Sequence, residues 1–281
     1  MKKIGIFSSF VEPAALELVE KIVGFVNEQY PSQAKVSFIF SNRELGESPV
    51  TDKLLQRLQT VSMPLMSFSA ARFEPERRKT ARALSKSGDD SSIDLWRNDY
   101  AEEVIKLLPP TDFDLLIGDW WIWGEKLCLS RTGLNLHPAL PGGPKGEWFN
   151  VIWELIRQNA RESGIMMHKV IPELDRGPVA TYCRYSIRGP VFDDLWINLP
   201  INKKTLDLLI EEESKKNEGA DYPLHVAIRN EGFKREIPLI LSTVSSLIKD
   251  EINIGGKTIK DKAGKALQNG YDLSSAVNLI I

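Results

Sequence analysis

The sequence predicts an α/β protein, with an open, mostly parallel sheet, helices on both faces and a small C-terminal extension. Three observations carry this. Short apolar runs alternate with amphipathic helical stretches through the first half of the chain, the pattern of parallel strands joined by crossover helices. One such run, at 133–137, contains Asn135 and His137 and is cut off by Pro138 and a Pro/Gly-rich loop. That is the form of a strand whose carboxyl end faces a ligand crevice. Beyond Gly189 the pattern turns helical. The length of 281 residues suits one α/β domain with an extension. The expected division is 1–250 as the main domain and 251–281 as an appendage.

Residues 3–7 read as a first buried strand. A helix is expected over 13–26, where Ala15, Leu18, Val19, Ile22 and Val26 recur on one face. Residues 35–40, rich in Val, Ile and Phe, form the second strand, followed by Ser41, Asn42 and Arg43. Residues 65–68, just after Pro64, form a short third strand. The charged region 72–98 is broken by the Ser-Gly-Asp-Asp-Ser-Ser run at 87–92 and reads as a helix with a mobile loop. Its Arg77, Arg78 and Lys79 are mixed with Glu74 and Glu76, the composition of a solvated helix face. A helix over 99–108 is stopped by Pro109 and Pro110, and 114–118 is a buried strand leading into Trp120, Trp121, Ile122 and Trp123.

The fifth strand is 133–137. A helix follows over 148–159, with Val151, Ile152, Leu155 and Ile156 as its apolar face. Strands are expected at 164–170 and 179–187, joined by a turn with Asp175 at its apex and Gly177 supplying backbone freedom. Helices then run over 204–216 and 235–249, the latter with Pro238 in its first turn, where proline is tolerated. Gly255 and Gly256, between short alternating segments at 252–259, mark a hairpin.

A formal net charge of -2 gives no reason for a nucleic-acid or anionic-membrane partner. Two cysteines, Cys128 and Cys183, are too few for a disulfide framework, and three histidines at 137, 168 and 225 make no ligand pair. No metal is therefore expected. Neither a signal-peptide core nor a membrane span is expected, and the cytoplasm is the default location.

The chemistry gathers on three side chains. Asn135 and His137 alternate with Leu134 and Leu136, so they leave the strand on the same side. An amide there can hydrogen-bond an oxygen that gains negative charge, and a carboxylate such as Asp175 can orient an imidazole. The set suits acyl transfer through a tetrahedral intermediate. The plainer alternative is a strand ending in two solvated polar residues. Sequence spacing alone does not bring Asp175 to His137. Trp120, Trp121 and Trp123 either wall a flat ring ligand or pack in the core. Trp148 has the same two readings, and His168 reads as a core residue.

Asn135-Leu136-His137-Pro138 resembles the Asn-x-His-Pro signature of folate-dependent formyltransferases, especially the phosphoribosylglycinamide formyltransferase branch. His168, followed by Asp175, Gly177 and Pro178, resembles that family's second signature, and Ser41-Asn42-Arg43 and the segment from Arg235 are similar to family features in the same order. The resemblance covers residues 3–249 and implies a Rossmann-type formyltransferase fold. It implies Asn135, His137 and Asp175 as catalytic residues and 10-formyltetrahydrofolate as co-substrate, bound by Trp120, Trp121, Ile122, Trp123, Leu174 and Gly177. Ser8, Ser9, Arg43, Pro138 and Lys145 would bind the acceptor, with phosphoribosylglycinamide, of purine biosynthesis, as the best guess. Partners would be small molecules, and a homodimer stays open. One departure stands out. The family's first loop is Gly/Ser-rich and holds a phosphate on backbone amides, whereas this chain has Ser8-Ser9-Phe10-Val11-Glu12-Pro13 there. Transfer to another amine, hydrolysis of the donor and a non-catalytic ligand-binding role are the alternatives.

Overall fold

The computed structural model describes residues 1–60, 63–118, 122–173, 176–199, 202–215 and 221–281. Two compact units emerge: Met1–Asn135 with Lys169–Gly177, and Leu136–His168 with Pro178–Ile281. Residues 251–281 lie in the second of these units.

The first unit has the order β1 (Lys2–Ser8), α1 (Pro13–Gln29), β2 (Ala34–Ser41), α2 (Pro49–Thr60), β3 (Leu65–Ser67), α3 (Pro75–Lys86), α4 (Ser91–Leu107), β4 (Phe113–Ile117) and α5 (Glu125–Ser130). It closes on β5 (Gly133–His137), within which the division falls. The strands lie side by side as β5-β4-β1-β2-β3, all parallel. Such a sheet carries apolar residues on both faces. Ile4, Ile6 and Phe7 are accordingly buried on β1, and every residue of β4 is buried.

One polar feature sits inside this apolar layer. Asp114 is fully buried and takes hydrogen bonds from Arg131 Nε at 2.6 Å and Nη2 at 3.0 Å. Gly5 makes room for it, since a Cβ there would lie 2.0 Å from Asp114 Oδ1 and 2.6 Å from Phe38 Cζ. A buried charge is tolerated only when paired in this way.

The expected elements of this unit are present, and it departs from expectation at three helices, α2, α4 and α5. The region 72–98 holds a complete helix and the start of another, because α4 begins at Ser91 rather than at 99. The Ser-Gly-Asp-Asp-Ser-Ser run is the turn between them: Gly88 takes φ +97°, and the Asp89 carboxylate accepts from Ser91 N–H and Oγ–H at 3.0 and 2.6 Å. Polar turn chemistry there masked the helix start. α2, which buries Leu54, Leu55 and Leu58, and the short α5, which buries Leu127, are additions to the expected elements.

The second unit comprises α6 (Trp148–Arg157), β6 (Glu162–Lys169), β7 (Val179–Ser186), α7 (Asp193–Ile197), α8 (Lys203–Lys215), α9 (Pro223–Ile248), β8 (Ile252–Asn253), β9 (Lys260–Asp261), β10 (Tyr271–Asp272) and α10 (Ser274–Asn278). β6 and β7 are antiparallel, and β10 adds to β7 in parallel. β8 and β9 form the expected hairpin, with a longer connection than its two glycines suggest.

The helix expected over 235–249 is a 26-residue element, and Pro238 lies in its interior. An interior proline costs about 3 kcal/mol in a bare helix. Here burial on both sides of it, by Leu224, Ile228, Leu239, Ile240, Val244 and Leu247, keeps the helix continuous. Gly232 lets the helix approach β7, because a Cβ there would stand 2.8 Å from the Tyr185 hydroxyl.

Candidate active site

β5 carries the two polar residues singled out in the sequence. Its neighbour β4 holds it through the Leu116–Asn135 register pair, and Leu134 is fully buried. Gly133 opens the strand where a Cβ would come within 3.0 Å of both Leu116 and Trp123. Asn135, at the end of the first unit, is half-buried.

His137 is more deeply set than a solvated strand end: it is 3% exposed. Its Nε2 lies 3.0 Å from the Pro144 carbonyl oxygen. A carbonyl only accepts, so Nε2 carries a proton. The loop that brings Pro144 back is shaped by backbone bonds: Ala139 N–H donates to His137 O at 2.9 Å and Gly143 N–H to Leu140 O at 2.8 Å. Gly142 and Gly146 both take the left-handed conformation. His168 of β6 is also buried, with its ring 6.3 Å from that of His137 and nearly perpendicular to it. Pro138 is half-buried in this loop and Lys145 is exposed.

The Pro144 carbonyl is the partner that sequence reasoning missed. A backbone oxygen has no residue identity, so only the return path of the loop reveals it.

In the first unit, the Ser8–Pro13 segment folds inward. Ser8 is fully buried and Ser9 half-buried. Phe10 adopts φ +47°, rare for a residue with a side chain, and its ring is fully buried. Its N–H donates to Ser8 Oγ at 3.3 Å, and its carbonyl accepts from Thr51 Oγ1 at 3.0 Å. Glu12 is extended and exposed, makes no side-chain cap to α1, and precedes Pro13, which has no N–H. The Phe10 N–H is thus taken by Ser8, the Ala15 N–H by the Glu12 carbonyl, and Pro13 offers none to an anion. Arg43, beyond β2, is half-buried; its N–H donates to Ser41 Oγ at 3.1 Å, and that hydroxyl donates back to the Arg43 carbonyl at 2.8 Å.

The expected ring wall divides. Ile122 and Trp123 are core residues, 1% and 5% exposed, and Trp123 meets Phe7 edge-on at 4.7 Å. Neither presents an open surface to a ring, because the apolar cluster above the sheet takes them up. Trp120, Trp121, Leu174 and Asp175 lie outside the described residues. Gly177 is half-buried. Trp148, on α6, packs on His225 at 5.7 Å with the Arg229 guanidinium 5.0 Å from its ring centroid. No group that could hold a metal ion occurs among the described residues, and no helix among them is long and apolar enough to cross a membrane.

No family model matches the chain, and no curated protein does. Solved structures do match. Glycinamide ribonucleotide transformylase 1 from Symbiobacterium toebii aligns with a TM-score of 0.57 at 12% identity, over 93% of this chain and 94% of its own. Phosphoribosylglycinamide formyltransferase from Coxiella burnetii aligns with a TM-score of 0.52 at 17% identity, over 96% and 98%. The chain shares the fold of these two proteins.

Proposed function

We propose that this protein is an enzyme that transfers a formyl group from 10-formyltetrahydrofolate to an amine, with phosphoribosylglycinamide as the best single acceptor. The observation that carries the reading is the end of β5. An amide and an imidazole stand two residues apart at the carboxyl end of a parallel strand, in a chain with the fold of a glycinamide ribonucleotide transformylase. Parallel α/β sheets bind ligands at that end of their strands.

In this reading the Asn135 side-chain amide donates to the formyl oxygen as the amine nitrogen attacks and that oxygen gains charge. His137 keeps its ring direction through Pro144 and, when doubly protonated, places a positive charge beside the same oxygen. Asp175 is assigned the role of orienting His137 and assisting proton transfer. Trp120, Trp121, Leu174 and Gly177 are assigned to the pterin. Ser9, Arg43, Pro138 and Lys145 are assigned to the acceptor, and the fully buried Ser8 is not.

One observation supports a second reading. The Ser8–Pro13 loop turns Phe10 into the core and presents Glu12 and Pro13 at the start of α1, which is poor chemistry for a phosphate. It favours a different amine, such as a nucleotide-linked amino sugar, or water as the acceptor. Incubation with 10-formyltetrahydrofolate, with and without phosphoribosylglycinamide, separates these. Formylated product supports transfer, formate without acceptor supports hydrolysis, and an unconsumed donor ends both.

A further inference from the structure

The loop that brings Pro144 to His137 is rich in residues that leave a backbone many alternatives. Residues 138–147 contain three prolines and three glycines, and Gly142 and Gly146 take φ values of +78° and +96°. The place of the Pro144 carbonyl is therefore set by what holds the two ends of the loop. One end is β5, where His137 itself sits. The other is the first turn of α6, which begins four residues after Pro144.

That turn has little local support. Its N-cap residue, Glu147, makes no side-chain cap, and no acid lies in the first turn to complement the helix dipole. A helix end of this kind frays unless tertiary contacts hold it.

α9 supplies those contacts. His225, in the first turn of α9, is buried, and its Nε2 lies 3.1 Å from the Phe149 carbonyl oxygen. The acceptor is again a carbonyl, so this nitrogen carries a proton. Burial lowers the pKa of the ring, so at pH 7 it is neutral and this proton is its only one. The ring also packs on Phe149 and Trp153, both at 5.0 Å, and on Trp148 at 5.7 Å. One turn along α9, the Arg229 guanidinium lies 5.0 Å from the Trp148 ring centroid and is paired with the Glu236 carboxylate. The first two residues of α6 are thus both gripped by α9. His137 and His225 each donate to a backbone carbonyl, and the two acceptors stand only five residues apart in the chain.

We propose that His225 is a positioning residue for His137. Its bond to the Phe149 carbonyl fixes the start of α6, and through it the loop that offers the Pro144 carbonyl to His137 Nε2. The consequence for catalysis rests on the formyl-transfer reading of His137; the mechanical tie does not.

The test is nitrogen-15 NMR of the full chain, labelled at histidine, at neutral pH and without ligand. Only three histidines occur, and His137→Gln and His225→Gln assign the signals. In wild type both rings should carry the proton on Nε2. His225→Phe keeps an aromatic ring and removes the donor, so the His137 signal should change from one tautomer to a mixture. His225→Gln keeps a donor at similar reach and should preserve the wild-type His137 signal. Formyl-transfer kinetics give the second readout. His225→Phe should lower kcat by about 10²-fold, the cost of a misplacement of about 1 Å, with KM for the donor unchanged. His225→Gln should recover most of that rate. A wild-type His225 ring protonated on Nδ1 alone overturns the proposal without any variant. An unchanged His137 signal in folded His225→Phe overturns it too, as does a raised KM with unchanged kcat. The predicted NMR pattern in a protein that consumes no formyl donor leaves the tie standing and removes the formyl-transfer reading.

Discussion

Replacing His137 in two ways separates what its ring does for the fold from what it is proposed to do for the reaction. The ring is buried, and Nε2 donates to the Pro144 carbonyl at 3.0 Å. His137→Ala removes that donor and leaves a carbonyl inside a partly buried loop, at a cost of about 1–3 kcal/mol, with a further loss from the cavity. His137→Gln keeps a donor nitrogen at a similar reach from the backbone, so it should stay within about 1 kcal/mol of wild type. Both substitutions remove the imidazole. Each should slow formyl transfer by about 10²- to 10⁴-fold, the range for a general acid–base group. Single-turnover consumption of 10-formyltetrahydrofolate at saturating acceptor reads the chemistry, and thermal unfolding reads the stability. The expected pattern is a stable, slow Gln variant and a less stable, equally slow Ala variant. Near-wild-type turnover in the folded Gln variant would refute the catalytic assignment. Unchanged melting of the Ala variant would refute the structural one.

Four further outcomes follow from the same physical picture. Asp175→Asn should lower turnover by about 10²- to 10⁴-fold, and combined with His137→Gln it should lose far less than the product of the two; multiplicative losses would show that they do not act together. Trp123→Ala should destabilise the fold by about 3–5 kcal/mol because it empties a core position, whereas Trp121→Ala should weaken quenching of fluorescence by a folate analogue; equal effects of both on folate affinity would contradict this split. Glu12→Gln should improve use of a phosphorylated acceptor at low salt and lose that advantage as salt rises; no change in KM at low salt would remove the objection to phosphate at this loop.

The fourth outcome concerns pH. Burial lowers the pKa of His225, with Arg229 adding to the effect, while its bond to the Phe149 carbonyl and the charge of Glu213 oppose it. Below about pH 6.5 the unfolded chain therefore binds the extra proton more readily. The stabilisation held by the neutral ring is complete above that pH and is lost as pH falls from it toward the depressed native pKa. Melting temperature should drop between pH 7.5 and pH 5, and His225→Leu should flatten that dependence. An equally steep profile in the variant would assign the effect to other groups.

Sequence alone fixed most of the element order because periodicity is a local property. The strands at β1, β2, β4 and β5 announce themselves by short apolar runs, and α1 and α6 by one-sided apolar spacing. The polar pair on β5 was legible for the same reason, since Leu134 and Leu136 set the alternation against which Asn135 and His137 stand out. Helix starts were less legible. At Ser91 the turn residues that cap one helix and begin the next look like loop composition, and at Pro223 the helix passes through Pro238 because packing, not propensity, holds it. What only the tertiary structure decided are pairings between distant residues: Gly5 yielding space to Asp114, Trp123 entering the core against Phe7, and Phe10 turning inward under Thr51. The bond from His137 to Pro144 belongs with them, although only seven residues separate the partners. Its acceptor is a backbone oxygen, present in every residue type, so its role arises solely from where the folded loop carries it.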